Sequence, residues 1–367
     1  MTIALLYGGR SSEHEVSLVS AAAVLRELSR DDRYEVVPIG ITREGIWYRQ
    51  NCGRQRERAA AGEALMIETA ASRVVVLPGA GLAELSRPDA PIDIDCVFPV
   101  LHGSYGEDGT VQGLLEMADL PYVGAGVVGS SVGMDKVRSK QLWSERGLPI
   151  VPYLTVREDR RVSLGELTTS VTARIDEAFG YPVFVKPNAA GSSVGVSRVT
   201  RPEALPEALR RVFVVDQVAL IEQALPVREI ETAVLGNDQV RSFPPGEVIP
   251  THEFYDYAAK YEDPDGAQLV IPAEIPPDRD EEIQRIAREA FLAIDGAGFA
   301  RVDCFLHRET GEVYLNEINT IPGFTPISMY PKMVEAGGVP YGALLEELIT
   351  LAQTRAAARK QRDYAAR

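Results

Sequence analysis

Residues 300–325, A-R-V-D-C-F-L-H-R-E-T-G-E-V-Y-L-N-E-I-N-T-I-P-G-F-T, constrain the fold most strongly. Two short apolar runs, 300–306 and 313–318, flank a polar H-R-E-T-G-E segment containing Gly311, a pattern that predicts a β-hairpin. Centring the hairpin on Thr310 sets Asp303 opposite Glu317, Arg301 opposite Asn319 and Phe305 opposite Leu315. The strand period of two puts all six on one side of the ribbon. Opposed residues have Cβ atoms about 5 Å apart, so two side-by-side carboxylates destabilise the hairpin unless positive charge lies between them. A divalent cation is the natural candidate. Asp303, Glu317 and Asn319 offer hard oxygen donors suited to Mg²⁺ or Mn²⁺, and the lack of His or Cys on that face argues against zinc. The plainer alternative, a solvated polar face on an edge hairpin, leaves the paired acids unexplained.

At 367 residues the chain predicts two or three domains. A formal net charge of -15 argues against nucleic acid or an anionic membrane as partner, since either requires a basic face. Three cysteines cannot form a disulfide framework; Cys96 and Cys304 lie in apolar runs and read as free buried thiols, which suits a reducing cytoplasm. The opening T-I-A-L-L-Y is too short for a signal h-region, and no run approaches the length of a spanning helix.

Residues 3–7 predict a buried strand, 8–12 a glycine turn, 15–28 a helix and 34–41 a second strand, a βαβ opening that implies a parallel sheet. G-G-R-S-S-E lacks the G-x-G-x-x-G spacing of a dinucleotide site. Glu15, beyond the strand's carboxyl end, either complements the helix dipole or faces a ligand. Residues 42–90 carry no assigned chemistry and read as a hairpin or insertion followed by another strand. The loop His102-Gly103-Ser104-Tyr105-Gly106-Glu107-Asp108-Gly109 joins a buried strand to a helix from Thr110, a place for ligand contact; His102 is a core histidine or a site residue. Residues 121–133 read as a short strand and linker. Lys136 opens a helix against the macrodipole, as an anion ligand would. Strands at 181–186 and 194–200 enclose Pro187-Asn188-Ala189-Ala190-Gly191-Ser192-Ser193, whose backbone N–H groups can fold over phosphates without forming a Walker A loop. The strand 219–223 can present backbone to an adenine, and 247–268 reads as a lid. Asp278 and Glu281 predict a capped helix with an apolar stripe. The chain ends in a predicted amphipathic helix from Tyr341 and a frayed Arg/Ala-rich tail.

Two early lysines, the small-residue loop, an acidic strand and the R-x-D…N-E-x-N hairpin together resemble an ATP-grasp ligase. In chain order, G-G-R-S-S-E-H-E-V-S, L-H-G-S-Y-G-E-D-G, G-M-D-K, V-K-P-N-A-A-G-S-S-V-G and N-E-I-N-T-I-P-G-F-T are similar to motifs of the D-alanine:D-alanine ligase family, over residues 3–350. The resemblance implies an α/β fold: a parallel-sheet N-terminal domain (1–135) followed by a two-lobed ATP-grasp fold, with a central lobe (136–228) and a C-terminal lobe (229–367) carrying the metal hairpin and lid. It implies ATP, two Mg²⁺ or Mn²⁺ ions, D-alanine as substrate and a cytoplasmic homodimer.

By the same resemblance Lys136 and Lys186 meet the phosphates, with Lys260 reaching them from the lid. Glu222, Gln223, Ala224 and Leu225 meet the adenine, and Glu229 the ribose. Asp303, Glu317 and Asn319 match the metal ligands. Arg301 and the Gly323 backbone match the groups that stabilise the tetrahedral oxygen. Glu15 matches the acid that holds the first substrate's ammonium, and Glu15, Ser192 and Tyr261 the set that ties down the lid. His102 lines the site and Ser328 binds the second carboxylate. Tyr261 goes with D-alanine rather than D-lactate as second substrate. The N-A-A-G-S-S loop, Met329-Tyr330 and residues 42–90 depart from the pattern. Two competing readings are another carboxylate-amine ligase, such as a D-alanine:D-lactate ligase, and a non-catalytic sugar- or nucleotide-binding protein on a doubly wound sheet. The second has no use for the metal set and two lysines.

Overall fold

The computed structural model describes residues 1–250, 267–325 and 328–362. The chain begins with β1 (Thr2–Gly8), α1 (His14–Leu28), β2 (Glu35–Ile41), β3 (Trp47–Arg49), α2 (Cys52–Ala60), β4 (Ser72–Leu77), β5 (Gly81–Glu84), β6 (Pro91–Ile92) and β7 (Cys96–Val100). Strand β1 pairs in parallel with both β2 and β7, and Ile3, Leu5 and Tyr7 are fully buried, as a strand covered on both faces requires. Residues 42–90 extend this sheet with antiparallel strands, giving the order β6-β5-β4-β3-β2-β1-β7. They also contain α2, which the sequence reading missed because the helix is nearly all polar; the Asn51 side chain caps it by accepting from the Arg54 N–H.

Helices α3 (Thr110–Met117), α4 (Val127–Met134) and α5 (Lys136–Glu145) lead into the second sheet. Helix α4 occupies the predicted linker. Its glycines allow backbone contact that a side chain would block: a Cβ on Gly129 would sit 2.5 Å from the Asp295 carbonyl oxygen. The second unit comprises β8 (Tyr153–Arg157), α6 (Leu164–Ala178), β9 (Val183–Pro187), β10 (Ser197–Val199), α7 (Leu205–Val215) and β11 (Val218–Gln223). Its antiparallel sheet runs β10-β9-β11-β8, with both helices packed on its apolar face.

The third unit comprises β12 (Val227–Gly236), β13 (Arg241–Ser242), β14 (Gly246–Pro250), β15 (Ala267–Val270), α8 (Pro277–Ala293), β16 (Gly298–His307), β17 (Val313–Asn319), α9 (Met329–Ala336) and α10 (Tyr341–Lys360). Its sheet runs β15-β14-β12-β16-β17, with β13 beside β12. Helix α8 buries Ile283, Ile286, Ala287, Ala290 and Phe291, the predicted stripe. Its start differs from expectation: Pro276 is the N-cap and no side chain caps it, so Asp278 acts through the dipole alone. The expected frayed tail is helical through Lys360, because its arginines have partners on the first unit. Arg355 donates to the carbonyls of Tyr122 and Gly124, and Arg359 lies 2.7 Å from Glu116.

One apolar core runs from the first sheet into the third unit. At its centre Phe299 meets Phe324 and Tyr330 edge-on, at ring separations of 5.4 and 5.5 Å, and Phe324 meets Phe98 of β7 at 6.2 Å. These rings fix the loop 320–325 against the N-terminal sheet. Phe299→Ala should lower the unfolding free energy by about 3–5 kcal/mol in chemical denaturation, the usual cost of truncating a buried aromatic. A loss below about 1 kcal/mol contradicts this packing role.

Candidate active site

The hairpin places Asp303 opposite Glu317 and Arg301 opposite Asn319, as the register arithmetic requires. It does not place Phe305 opposite Leu315. A β-bulge between Asp303 and Cys304 shifts the register, so Cys304 faces Leu315 and Phe305 faces Tyr314, leaving Asn316 as the extra residue. On its other edge β16 pairs with β12, where Glu231 opposes Asp303. Three carboxylates therefore lie in a row across three strands. Arg301 holds both oxygens of Asp303 at 2.7 Å and lies 3.0 Å from Glu231; Lys136 lies 3.2 Å from Glu317. Burial works against the guanidinium charge, but Asp303 and Glu231 outweigh it and hold the Arg301 pKa well above its ordinary value.

Two cavities, of 610 and 490 Å³, meet at this row. Both volumes suit small-molecule sites. Lys136, Ser192, Glu231, Arg301 and Glu317 line both. The larger is walled by Lys186, Glu222, Gln223, Ala224, Leu225, Glu229 and Asp303, with Phe184, Phe305 and Arg198, which sequence reasoning did not single out. The smaller is walled by Glu13, His102, Glu107, Asn319, Gly323, Ser328 and Lys332. Lys332 carried no sequence signal beyond being charged, whereas Glu13 lies in the quoted G-G-R-S-S-E-H-E-V-S motif and was passed over for Glu15.

Glu15 is a correction. It lies on the outer face of α1, 65% exposed, paired with Arg43 at 2.8 Å, and lines neither cavity. Glu13, two residues earlier, is buried and accepts from the Ser192 hydroxyl at 2.6 Å. The physical reason is that α1 begins only at His14, so Glu13 sits in the turn that faces the cleft while Glu15 has already rotated outward. The glycines of two separate loops make room for it: a Cβ on Gly103 would lie 2.6 Å, and one on Gly191 3.1 Å, from Glu13 Oε2. Ser192 and Ser193 both adopt left-handed backbone, φ 51° and 57°, in the loop entered from Lys186. Such strain concentrates where a loop folds around a ligand.

His102 and Glu107 together grip the peptide of Ile321. The Ile321 N–H donates to Glu107 at 2.9 Å and its carbonyl lies 2.9 Å from His102 Nδ1, while Ser20 meets the far His102 nitrogen at 3.1 Å. Burial, with the Glu13 carboxylate nearby, pushes the Glu107 carboxyl up to about 8; burial also lowers the His102 pKa, leaving a neutral imidazole. The first unit thus positions the loop that carries Gly323. Ser328 is the N-cap of α9 but its hydroxyl accepts no N–H from that helix; it accepts from the Thr325 N–H at 3.0 Å.

On the far wall the Glu222 carboxylate lies 2.5 Å from Lys186 and 2.7 Å from Lys140. Lys136 donates to the Ala190 carbonyl at 2.9 Å, tying α5 to the small-residue loop. Of the predicted lid at 247–268, residues 247–250 and 267–268 belong to the paired strands β14 and β15, and 251–266, with Lys260 and Tyr261, lie outside the described residues.

The donor set of Asp303, Glu317 and Asn319 fits a hard cation. Two carboxylates and an amide oxygen match a Mg²⁺ that takes its remaining ligands from phosphate and water. Among the described residues no cluster of three or more Asp, Glu, His or Cys side chains could hold a metal unaided. Glu13→Gln should cost at least about tenfold in kcat/KM, and Glu15→Gln less than about twofold. The reverse order contradicts the placement.

Residues 2–125 match the family model described as D-ala D-ala ligase N-terminus, and 142–350 match D-ala D-ala ligase C-terminus. A D-alanine–D-alanine ligase of Treponema denticola is 45% identical, covering 97% of this chain and 96% of the relative; one of Caldicellulosiruptor bescii is 44% identical, covering 99% and 98%. Among solved structures, the D-alanine–D-alanine ligase of Coxiella burnetii superposes with TM-score 0.82 at 34% identity, covering 98% of this chain and 96% of that one. A D-Ala:D-Ser ligase of Enterococcus faecalis gives TM-score 0.82 at 33% identity, covering 96% and 99%. With both family models in order along one fold and relatives matched from end to end, the chain belongs to the D-alanine–D-alanine ligase family.

Proposed function

We propose that this chain joins two D-alanine molecules to D-alanyl-D-alanine at the expense of ATP, giving ADP and phosphate, for peptidoglycan precursor synthesis. This is the known activity of its family. The observation that carries the reading is the meeting of two cavities at one acidic hairpin, with Lys136, Arg301 and Glu317 on the shared wall.

ATP occupies the larger cavity. Glu222 to Leu225 lie along its adenine end and Glu229 at the ribose, with Lys136 and Lys186 on the phosphates. Asp303, Glu317 and Asn319 would hold two Mg²⁺ or Mn²⁺ ions, which would supply charge neutralisation at the phosphates. D-alanine occupies the smaller cavity, its ammonium on Glu13, which Ser192 orients. An oxygen of its carboxylate attacks the γ-phosphorus, ADP leaves, and an acyl phosphate forms. The amine of the second D-alanine, its carboxylate at Ser328, attacks the acyl carbon. Arg301 and the Gly323 N–H stabilise the tetrahedral oxygen, and phosphate leaves with the carboxylate oxygen. Both steps concentrate negative charge, so preorganised cations and N–H groups serve better than a nucleophilic side chain. Lys260 and Tyr261 belong to this proposal as lid residues.

The three sheets support a division into 1–135, 136–228 and 229–367, β12 beginning two residues before the last boundary. Assembly as a homodimer and a cytoplasmic location complete the proposal; among the described residues no helix is long and apolar enough to cross a membrane.

The superposition on a D-Ala:D-Ser ligase supports a second reading, in which D-serine is the incoming amine. Chromatography of products formed from ATP, Mg²⁺ and an equimolar mixture of D-alanine, D-serine and D-lactate separates them. D-alanyl-D-alanine should dominate at pH 7; dominant D-alanyl-D-serine favours the second reading, and dominant ester contradicts both. Glu317→Gln should keep the fold and lose more than about a hundredfold in turnover, because an amide cannot replace the charge opposite the phosphates. Turnover within about tenfold of the parent, a barrier change of roughly 1.4 kcal/mol, contradicts the metal assignment.

A further inference from the structure

Behind the wall of the larger cavity lies a charge that the reaction described above does not use. Lys140, on α5, is fully buried and lines neither cavity. Its ammonium is 2.7 Å from Glu222 Oε1, 3.5 Å from the Leu315 carbonyl oxygen and 6.0 Å from the Tyr153 ring centre. The other oxygen of Glu222 is 2.5 Å from the ammonium of Lys186, which donates to Asn316, the bulge residue, at 3.2 Å. One buried carboxylate is thus shared between a lysine on the cavity wall and a lysine behind it.

Charge counting gives the consequence. Glu222 and Lys186 alone form a neutral pair, and a neutral pair attracts a triphosphate weakly. With Lys140 the cluster carries one net positive charge, and charges removed from solvent are little screened. Burying a lysine costs several kcal/mol, so an ammonium used only to fill space is poorly explained when an apolar side chain of the same length would do. Burial pulls the Lys140 pKa down and opposes the charge on Glu222; the Glu222 carboxylate 2.7 Å away works against the first, and the two ammonium groups outweigh the second and hold the Glu222 carboxyl at about 2. The carboxylate is therefore ionised and needs both partners.

We propose that Lys140 is a positioning residue for the nucleotide: by neutralising Glu222 from behind, it leaves Lys186 with net positive charge facing the phosphates. This rests on the ATP reading of the larger cavity.

The test is a double-mutant cycle read as separate KM values for ATP and D-alanine. Lys140→Met should raise KM for ATP at least about tenfold, roughly 1.4 kcal/mol, with KM for D-alanine within about threefold of the parent. Glu222→Gln in the Lys140→Met background should return KM for ATP to within about threefold, because one lysine then stands without a carboxylate to cancel it. A purely structural lysine predicts otherwise: the double variant stays as impaired as the single, or both KM values rise together, and either result overturns the proposal. If Lys140→Met does not fold, Lys140→Gln decides by the same two KM values: a rise of at least about tenfold for ATP alone supports the electrostatic role, and an unchanged KM for ATP or a joint rise overturns it. A parent enzyme without ATP turnover on D-alanine refutes the proposed function itself; an active parent with an unaffected Lys140→Met variant refutes only the role of Lys140.

Discussion

The fold of this enzyme depends on a repulsion that it does not avoid. Glu231, Asp303 and Glu317 stand in register across β12, β16 and β17, and three neighbouring carboxylates on one sheet face are unfavourable without cations. Each available cation comes from a different place: Arg301 from the hairpin itself, Lys136 from the start of α5. The acidic row thus draws the second unit onto the third, and where they meet, the two cavities meet. The same charges that hold the units together in the absence of ligand are those that a nucleotide and its cations would redistribute.

A second constraint comes from backbone supply. The cleft needs polar groups from loops, and each such loop is held by residues distant in sequence, in its own unit or in another. Ile321 is gripped through its backbone N–H and carbonyl by Glu107 and His102, Gly103 and Gly191 carry no side chain to crowd Glu13, and Lys136 ties the small-residue loop to α5. A site assembled this way gains its geometry from tertiary packing, including the Phe98, Phe299 and Phe324 cluster behind the loop.

This division explains what the sequence made legible. Strand alternation and one turn glycine suffice to place Asp303 against Glu317, because register is a local property of a hairpin. The bulge that displaces Phe305 and frees Asn316 left no such trace, since it answers to Lys186 in another unit. The sequence reading named Glu15 and did not weigh Glu13; the helix starts at His14, and two residues along a helix reverse which way a side chain points, which position in the sequence alone does not reveal. The polar helix α2 and the glycine-rich α4 lacked an apolar period of their own and are helical because of what they pack against. Nothing in the sequence set Lys140 apart until its burial against Glu222 was visible.

The central claim is that a D-alanine carboxylate accepts the γ-phosphoryl group before the second amine attacks. Turnover of D-alanine labelled with ¹⁸O in both carboxylate oxygens, followed by mass analysis of the released phosphate, tests it most directly. Transfer of one ¹⁸O to phosphate for each dipeptide formed is the predicted result. Phosphate free of label, with dipeptide still produced, would contradict an acyl phosphate and with it the assignment of the site.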